Sequence, residues 1–248
     1  MPLTLKPRKN RRSAAKADKG PKGKALQRLI ENDLIRKVSY DEYRDKVQRV
    51  YGGPKGAILS VCSMMSLHIP LGERIFRSRR FDLRGAKSIL DVGSGAGQIA
   101  GHLLKYGDSD ASLTCTDLSR QMLRRARNRL KSPRPRFVSC DLSQLPFEDA
   151  SFDCITCSYV LEHLPNPEPG LAEMSRVLER GGRMFLLTTE DNFSGAWTSR
   201  LWYCRTYNRA DLRRLCEQLG LHWKQEIWFT RMHRAIHAGG ICVEIEKR

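Results

Sequence analysis

No stretch of this 248-residue chain approaches the ~18 consecutive apolar residues that a bilayer-crossing helix needs, so the sequence offers no membrane anchor. The N-terminal basic stretch lacks an apolar core behind it, which argues against a secretory leader. It is rich in Lys and Pro without an amphipathic pattern, a poor match to a transit peptide. The expected location is cytoplasmic, with peripheral attachment to a membrane left open. Acidic residues are missing where basic ones crowd: Met1 to Lys24 has nine Lys or Arg against one Asp, and Ser119 to Arg136 has eight against none. Neither an RNP motif nor a zinc knuckle accompanies this charge, so no known nucleic-acid module is indicated. The eight cysteines lack metal-ligand spacing. Cys154 and Cys157 form a C-x-x-C on an expected strand, where residues three apart point to opposite faces. Cys115, Cys140 and Cys242 also lie in apolar strands, where a free thiol serves as a small hydrophobe. No metal site and no disulfide is expected.

What is present begins with Ile89-Leu-Asp-Val-Gly-Ser-Gly-Ala-Gly-Gln-Ile-Ala100, an apolar strand feeding a glycine-rich turn that opens a helix. Gly93, Gly95 and Gly97 allow a sharp bend and the close approach of a ligand, while the N–H groups of the new helix point into the site. Asp91 separates the loop from a dinucleotide fingerprint. A carboxylate at the strand tip repels a pyrophosphate but suits a ligand carrying an ammonium and a sulfonium.

Four more apolar runs follow. Leu113 to Asp117 reads as a strand ending in an acid twenty residues past Gly97, where a carboxylate can accept ribose hydroxyls. Arg136 to Asp141 reads as a third strand, Phe152 to Val160 as a fourth, and Gly181 to Thr189 as a fifth after a helix-ending glycine pair. The runs are nearly continuous rather than alternating, as in strands covered on both faces, and helical segments between them imply parallel pairing. Leu221 to Thr230 and Ile241 to Glu246 read as two final strands joined closely enough for antiparallel pairing.

The D-x-G-x-G-x-G stretch, the later strand-tip acids and Leu161-Glu-His-Leu-Pro-Asn-Pro167 resemble the class I S-adenosylmethionine-dependent methyltransferases. Together with Met174 to Gly182 they are similar to the ubiquinone and menaquinone biosynthesis branch, which acts on small molecules and lipids. The resemblance covers roughly Ala86 to Gly220. It implies an α/β, Rossmann-like three-layer sandwich with a seven-stranded, mostly parallel sheet and an antiparallel last strand. It also implies S-adenosyl-L-methionine as cofactor, held by Asp91, Gly93, Ser94, Gly95, Gly97, Gln98, Asp117, Leu118, Met122, Asp141, Leu142 and Ser158, with Asp141 meeting the adenine amino group. Ligands of open parallel sheets bind at the carboxyl ends of the strands, so Tyr159, Glu162 and His163 are the candidate catalytic residues. His163 is a general base by type, and orienting the cofactor or capping the next helix is its alternative role. Some quinone O-methyltransferases carry an acid where this chain has Tyr159, so a metal is not expected.

The division expected is a disordered basic arm over residues 1–24, N-terminal helices over 25–85 forming a lid, and the methyltransferase domain over 86–248. Tyr43, Met64, Met65 and His68 are candidate lining residues. Trp197, Trp202, Tyr203 and Tyr207, among Arg200 and Arg205, mark a substrate-selecting segment after the fifth strand. His233 and His237 fall in a connecting loop. On a helix after Ser119, Met122, Leu123, Ala126 and Leu130 face the core and the arginines from Arg120 to Arg136 face water. Those arginines and the arm could contact RNA or an anionic membrane surface. The acceptor expected is a small molecule or lipid. An RNA methyltransferase, a nicotinamide oxidoreductase and a cofactor-binding scaffold without turnover stand as alternatives, and the oligomeric state stays open.

Overall fold

The computed structural model describes residues 68–164, 166–192, 195, 204–235 and 239–248. The basic arm, the lining candidates Tyr43, Met64 and Met65, the aromatic residues Trp197, Trp202 and Tyr203, and His237 lie outside the described residues. The elements in chain order are α1 (His68–Arg77), β1 (Ser88–Val92), α2 (Gln98–Tyr106), β2 (Ser112–Asp117), α3 (Arg120–Leu130), β3 (Pro135–Ser139) and β4 (Phe152–Ser158). They continue with a single 3-10 turn (Leu161–His163), α4 (Glu168–Val177), β5 (Leu178–Thr188), α5 (Arg209–Gln218), β6 (Leu221–Glu226), α6 (Arg231–Ala235) and β7 (Ile241–Lys247).

The seven strands form one sheet in the order β3-β2-β1-β4-β5-β7-β6. Pairs from β3 through β5 are parallel, and β7 runs antiparallel to both β5 and β6. The apolar runs explain the layering. Leu90, Val92, Ile155, Cys157, Met184 and Leu186 point into a core beneath α4 and α5, where Leu171, Met174 and Leu212 meet them. Ile89, Leu113, Cys115, Cys154, Phe185 and Leu187 point the other way, into a core closed by α1 and α2 through Ile75, Phe76 and Leu103. Cys154 and Cys157 therefore lie in different cores, one on each face of β4. The strand order reverses between β1 and β4, which opens a crevice at their carboxyl ends.

Several expected boundaries move. The helix before β5 ends at Val177, not at the glycine pair, because Leu178 is already extended and pairs with Phe152. Gly181 and Gly182 instead form the irregular entry to β5, with Gly181 at φ 77 and a shifted register between Phe152 and Cys154. β4 stops at Ser158, since Tyr159 takes a left-handed φ of 55. β6 ends at Glu226, four residues early, and His233 sits in the short helix α6 rather than in a loop, bonded through Nδ1 to Thr230 Oγ1 at 2.7 Å. Phe81 and Leu83, ahead of β1, pack in one core with its Ile89.

α3 is capped by Ser119, whose Oγ accepts from Met122 N, and buries Met122, Leu123 and Ala126. Arg120, Arg124, Arg127 and Arg129 are exposed as expected, Arg127 also lying over the Phe137 ring at 5.1 Å. Arg134, in the connection after α3, is instead half-buried and donates to the carbonyls of Asp108 at 2.7 Å and Ala111 at 3.1 Å. Stacking and carbonyl pairing use the planar guanidinium in ways a lysine would not match.

Phe185 centres an aromatic cluster, with ring centroids 5.4 Å from both Phe76 and Phe81, and is fully buried. Phe185→Ala is expected to lower unfolding free energy by ~3–5 kcal/mol, read from the urea midpoint, since lost burial and a residual cavity add.

Candidate cofactor and active site

The site is built at the carboxyl ends of β1, β2 and β4. Asp91 is 1% exposed, and its Oδ1 accepts from Thr156 Oγ1 of β4 at 2.6 Å. Its Oδ2 has no hydrogen-bond partner among the described residues. Burial, helped by the nearby charge of Asp117 and opposed by Thr156 and Ser94, pushes its pKa up to about 6. A buried acceptor without a partner is costly, so its persistence at a strand tip points to a group that arrives from outside.

The glycine loop is pinned to β2. Ser94 N donates to Thr116 O at 2.7 Å, Ser94 Oγ to Asp91 O at 2.9 Å, and Gly97 N to Ser94 O at 2.8 Å. Gly95 N donates to Asp117 Oδ2 at 2.9 Å, while Asp117 Oδ1 accepts from Ser119 N at 2.7 Å. Asp117 thus joins the loop to the start of α3 and keeps acceptor capacity for hydroxyl groups, since a carboxylate offers about four lone-pair sites. Burial raises its pKa despite those two backbone donors.

The three glycines do different work. A side chain at Gly93 would collide with Val160, and a Cβ at Gly97 would lie 3.2 Å from Ala126 Cβ of α3. Gly95 meets nothing closer than Met122 Cε at 3.7 Å and Gln98 Oε1 at 3.8 Å, so a Cβ there would intrude on open space beside Asp117. Gly97 stands at φ 81 as the N-cap of α2 with no side-chain cap, leaving the first N–H groups of that helix to the loop.

Further residues gather around this frame. Cys140 N donates to Asp117 O at 3.2 Å, which sets the end of β3 beside the carboxylate. Asp141 Oδ1 accepts from Ser143 N at 2.8 Å and Ser143 Oγ at 2.7 Å. Leu118 is half-buried, and Ser158, half-buried at the tip of β4, pairs with Leu187. Leu142 turns inward instead, into the core beside Gly170, where a Cβ would lie 3.0 Å from Leu142 Cγ.

The segment after β4 is held from two sides. Tyr159 N donates to Leu187 O at 2.7 Å. Glu162 is 2% exposed, and its carboxylate accepts from Thr188 Oγ1 at 2.7 Å and Thr189 Oγ1 at 2.8 Å, while burial pushes its pKa up to about 7. Glu162 O accepts from Arg205 N at 2.9 Å, and Leu161 O from the Tyr207 hydroxyl at 2.5 Å. Tyr207 pairs in turn with Glu190, which Arg209 clamps at 2.8 and 2.9 Å. Burial lowers the His163 pKa to about 4, so the ring is neutral at physiological pH. Sequence reasoning missed Thr156, Thr188, Thr189 and Arg209. The signal was a pair of threonines closing an apolar strand opposite an acid that burial obliges to find donors.

Known proteins share this arrangement. A methyltransferase-domain family model matches residues 90–186. The ubiquinone/menaquinone biosynthesis C-methyltransferase UbiE of Cupriavidus metallidurans is 28% identical over 163 residues, spanning 65% of each chain. The enzyme of the same name from Burkholderia mallei is 28% identical over 214 residues, covering 80% of this chain and 86% of its own. The chain thus spans about two thirds of the Cupriavidus relative. In fold, it resembles the magnesium protoporphyrin IX methyltransferase of Synechocystis, solved with bound S-adenosylmethionine, at TM-score 0.64 and 16% identity over 83% of this chain and 97% of that one. It also resembles a chain in the Haloferax volcanii complex of the Trm112 activator with a methyltransferase, at TM-score 0.63 and 18% identity over 75% of this chain and 92% of that one. Glycine loop, strand-tip acids, sheet order and these matches together define a class I S-adenosylmethionine-dependent methyltransferase. Within that class, the chain is similar to the UbiE-like type.

Asp91 carries a stability consequence. Its pKa stands raised in the native state, so the native chain takes up the proton between about pH 4 and about pH 6. That contribution to stability is complete below this window and is lost as pH rises through about 6. Asp91→Asn, which keeps the Thr156 bond, is expected to raise the urea midpoint at pH 7.5, by ~1–3 kcal/mol in free energy, with the gain vanishing near pH 4.

Proposed function

We propose that the protein transfers a methyl group from S-adenosylmethionine to a ring carbon of a small phenolic or quinol-type acceptor. The observation that carries this reading is the Gly95 N to Asp117 Oδ2 bond beside the partnerless Asp91 Oδ2, which supports a pocket for an adenosyl group with a cationic end. The choice of a carbon acceptor rests on the relatives, which are named as C-methyltransferases of quinone biosynthesis. Asp117 would accept the ribose hydroxyls, Gly95 would let the ligand lie against backbone, and Asp91 would face the positive charge. Met122 and Gln98 border the same space, and Asp141 is assigned the adenine amino group.

Held there by Asp91, Asp117 and the glycine loop, S-adenosylmethionine would supply an activated methyl group, the electron pair of its S–CH3 bond staying on sulfur as the acceptor carbon takes the methyl. The chain has to align the acceptor behind the methyl group and exclude water, which is where most of the acceleration arises. The ring carbon then loses a proton. We assign its uptake to His163: burial weakens the ring as a base, but it is neutral at physiological pH and the methylated, cationic ring gives up its proton readily. Glu162 is a positioning residue: it fastens the turn bearing His163 to Thr188 and Thr189 and holds the 204–209 segment across the opening. Tyr159 shapes the wall between them.

Two measurements test the reading. Incubating a cell extract with methyl-labelled cofactor and the protein is expected to move label into the organic-soluble fraction; label in RNA, or in none, would overturn the assignment. Asp117→Ala is expected to weaken S-adenosylhomocysteine binding ~10–100-fold by calorimetry, the cost of two charge-assisted bonds and a freed Gly95 N–H.

A further inference from the structure

At the far side of the sheet from α3, the structure holds a basic groove that the methyl-transfer site does not use. It has a volume of ≈ 300 Å³ and is lined by Arg79, Arg80, Trp228, Thr230, Arg231 and Arg234, among others. Because β6 runs parallel to β5 across the antiparallel β7, the residues after Glu226 lie at the carboxyl end of the sheet. The groove therefore opens at the same end as Asp117 and Ser158.

Its parts are unusual for a bare surface. Arg80 is structural, donating through Nη1 to the carbonyls of Trp228 and Phe229 and so fixing the lip. Arg231 and Arg234 form no ion pair among the described residues, and Arg79 feels only the charge of Asp82, whose carboxylate Arg84 already holds. The acid in the lining, Glu226, is already taken by Arg209 at 3.2 Å. Arg79 also stands two residues after α1 at φ 56, closing a helix end with bonds from Arg79 N to Phe76 O at 3.1 Å and Arg80 N to Ile75 O at 3.0 Å. Glycine is the usual choice there, and an arginine adds conformational cost. Between Arg231 and Arg234, Met232 is 65% exposed, the one large apolar side chain exposed among the described residues.

We propose that this groove, with Met232 at its rim, docks the protein on an anionic membrane surface, Arg79, Arg231 and Arg234 taking lipid phosphates and Met232 entering the acyl boundary. Three guanidiniums without an ion pair among the described residues match phosphate oxygens, and a free phosphate would account for them alone. Only a lipid surface gives the protruding methionine an apolar partner as well. The orientation would turn the carboxyl end of the sheet, where the cofactor reading puts the reacting groups, toward the bilayer. The proposal is independent of the acceptor's identity.

Co-sedimentation of the full chain with vesicles of phosphatidylcholine, alone or mixed with phosphatidylglycerol, tests it. The wild type is expected to bind the mixed vesicles and not the neutral ones. Arg231→Glu with Arg234→Glu should weaken binding ~10-fold or more, from the charge each loses near the surface. Met232→Ser should weaken it ~3-fold, while Arg124→Glu with Arg129→Glu on α3 should leave it within ~2-fold. Unchanged binding in the Arg231/Arg234 variant, or an equal loss in the α3 variant, would overturn the proposal. So would binding indifferent to Met232, or absence of vesicle binding where inorganic phosphate stabilises the chain against heat beyond chloride of equal ionic strength. Calorimetry with S-adenosylhomocysteine on each variant checks folding. A wild type that sediments with vesicles but does not bind that ligand leaves the groove standing and sinks the cofactor reading instead.

Discussion

One carboxylate constrains the rest of this molecule. Asp91 sits at the tip of a strand covered on both sides, with one oxygen bonded to Thr156 and the other bonded to nothing described. Such a group opposes folding unless something compensates, and the surroundings are arranged around it. Thr116 and Thr156 flank it from the neighbouring strands, and Ser94 ties the loop back to its carbonyl. Asp117 stands one strand away, close enough for its charge to raise the Asp91 pKa further. Two acids facing one loop make sense where a ligand brings positive charge and hydroxyl groups together.

The fold was largely legible because its signals were redundant. Near-continuous apolar runs marked strands buried on both faces, and each run carried a polar residue at or near its carboxyl end. The strand limits were less legible. Tyr159 continues the pattern of β4, yet backbone sterics at φ 55 end the strand before it. Gly181 and Gly182 look like a helix stop in one dimension, but pairing of Leu178 with Phe152 decides the matter from across the sheet. Tertiary contacts of this kind leave no local trace.

The candidate site was legible to a similar extent. The loop glycines and Asp117 carry their spacing with them, whereas the threonines that satisfy Glu162 come from a strand 26 residues away. Glu162 read as a reactive group without any sign that its carboxylate also joins the turn after β4 to the tip of β5. The arginines from Arg120 to Arg136 were similar: composition placed them all in water, and only packing set apart Arg134, half-buried on two carbonyls, from the exposed ones such as Arg127 over Phe137.

The position of β7 has a further consequence. It is the last of the seven strands to leave the ribosome, yet it lies inside the sheet, between β5 and β6. Until it arrives, β5 presents a bare edge and β6 has no strand to pair with, so the half of the sheet bearing Thr188 and Thr189 is finished only once β7 has emerged. The nascent chain must keep that edge from seeking other partners, and the half built on β1 to β4 is free to consolidate first.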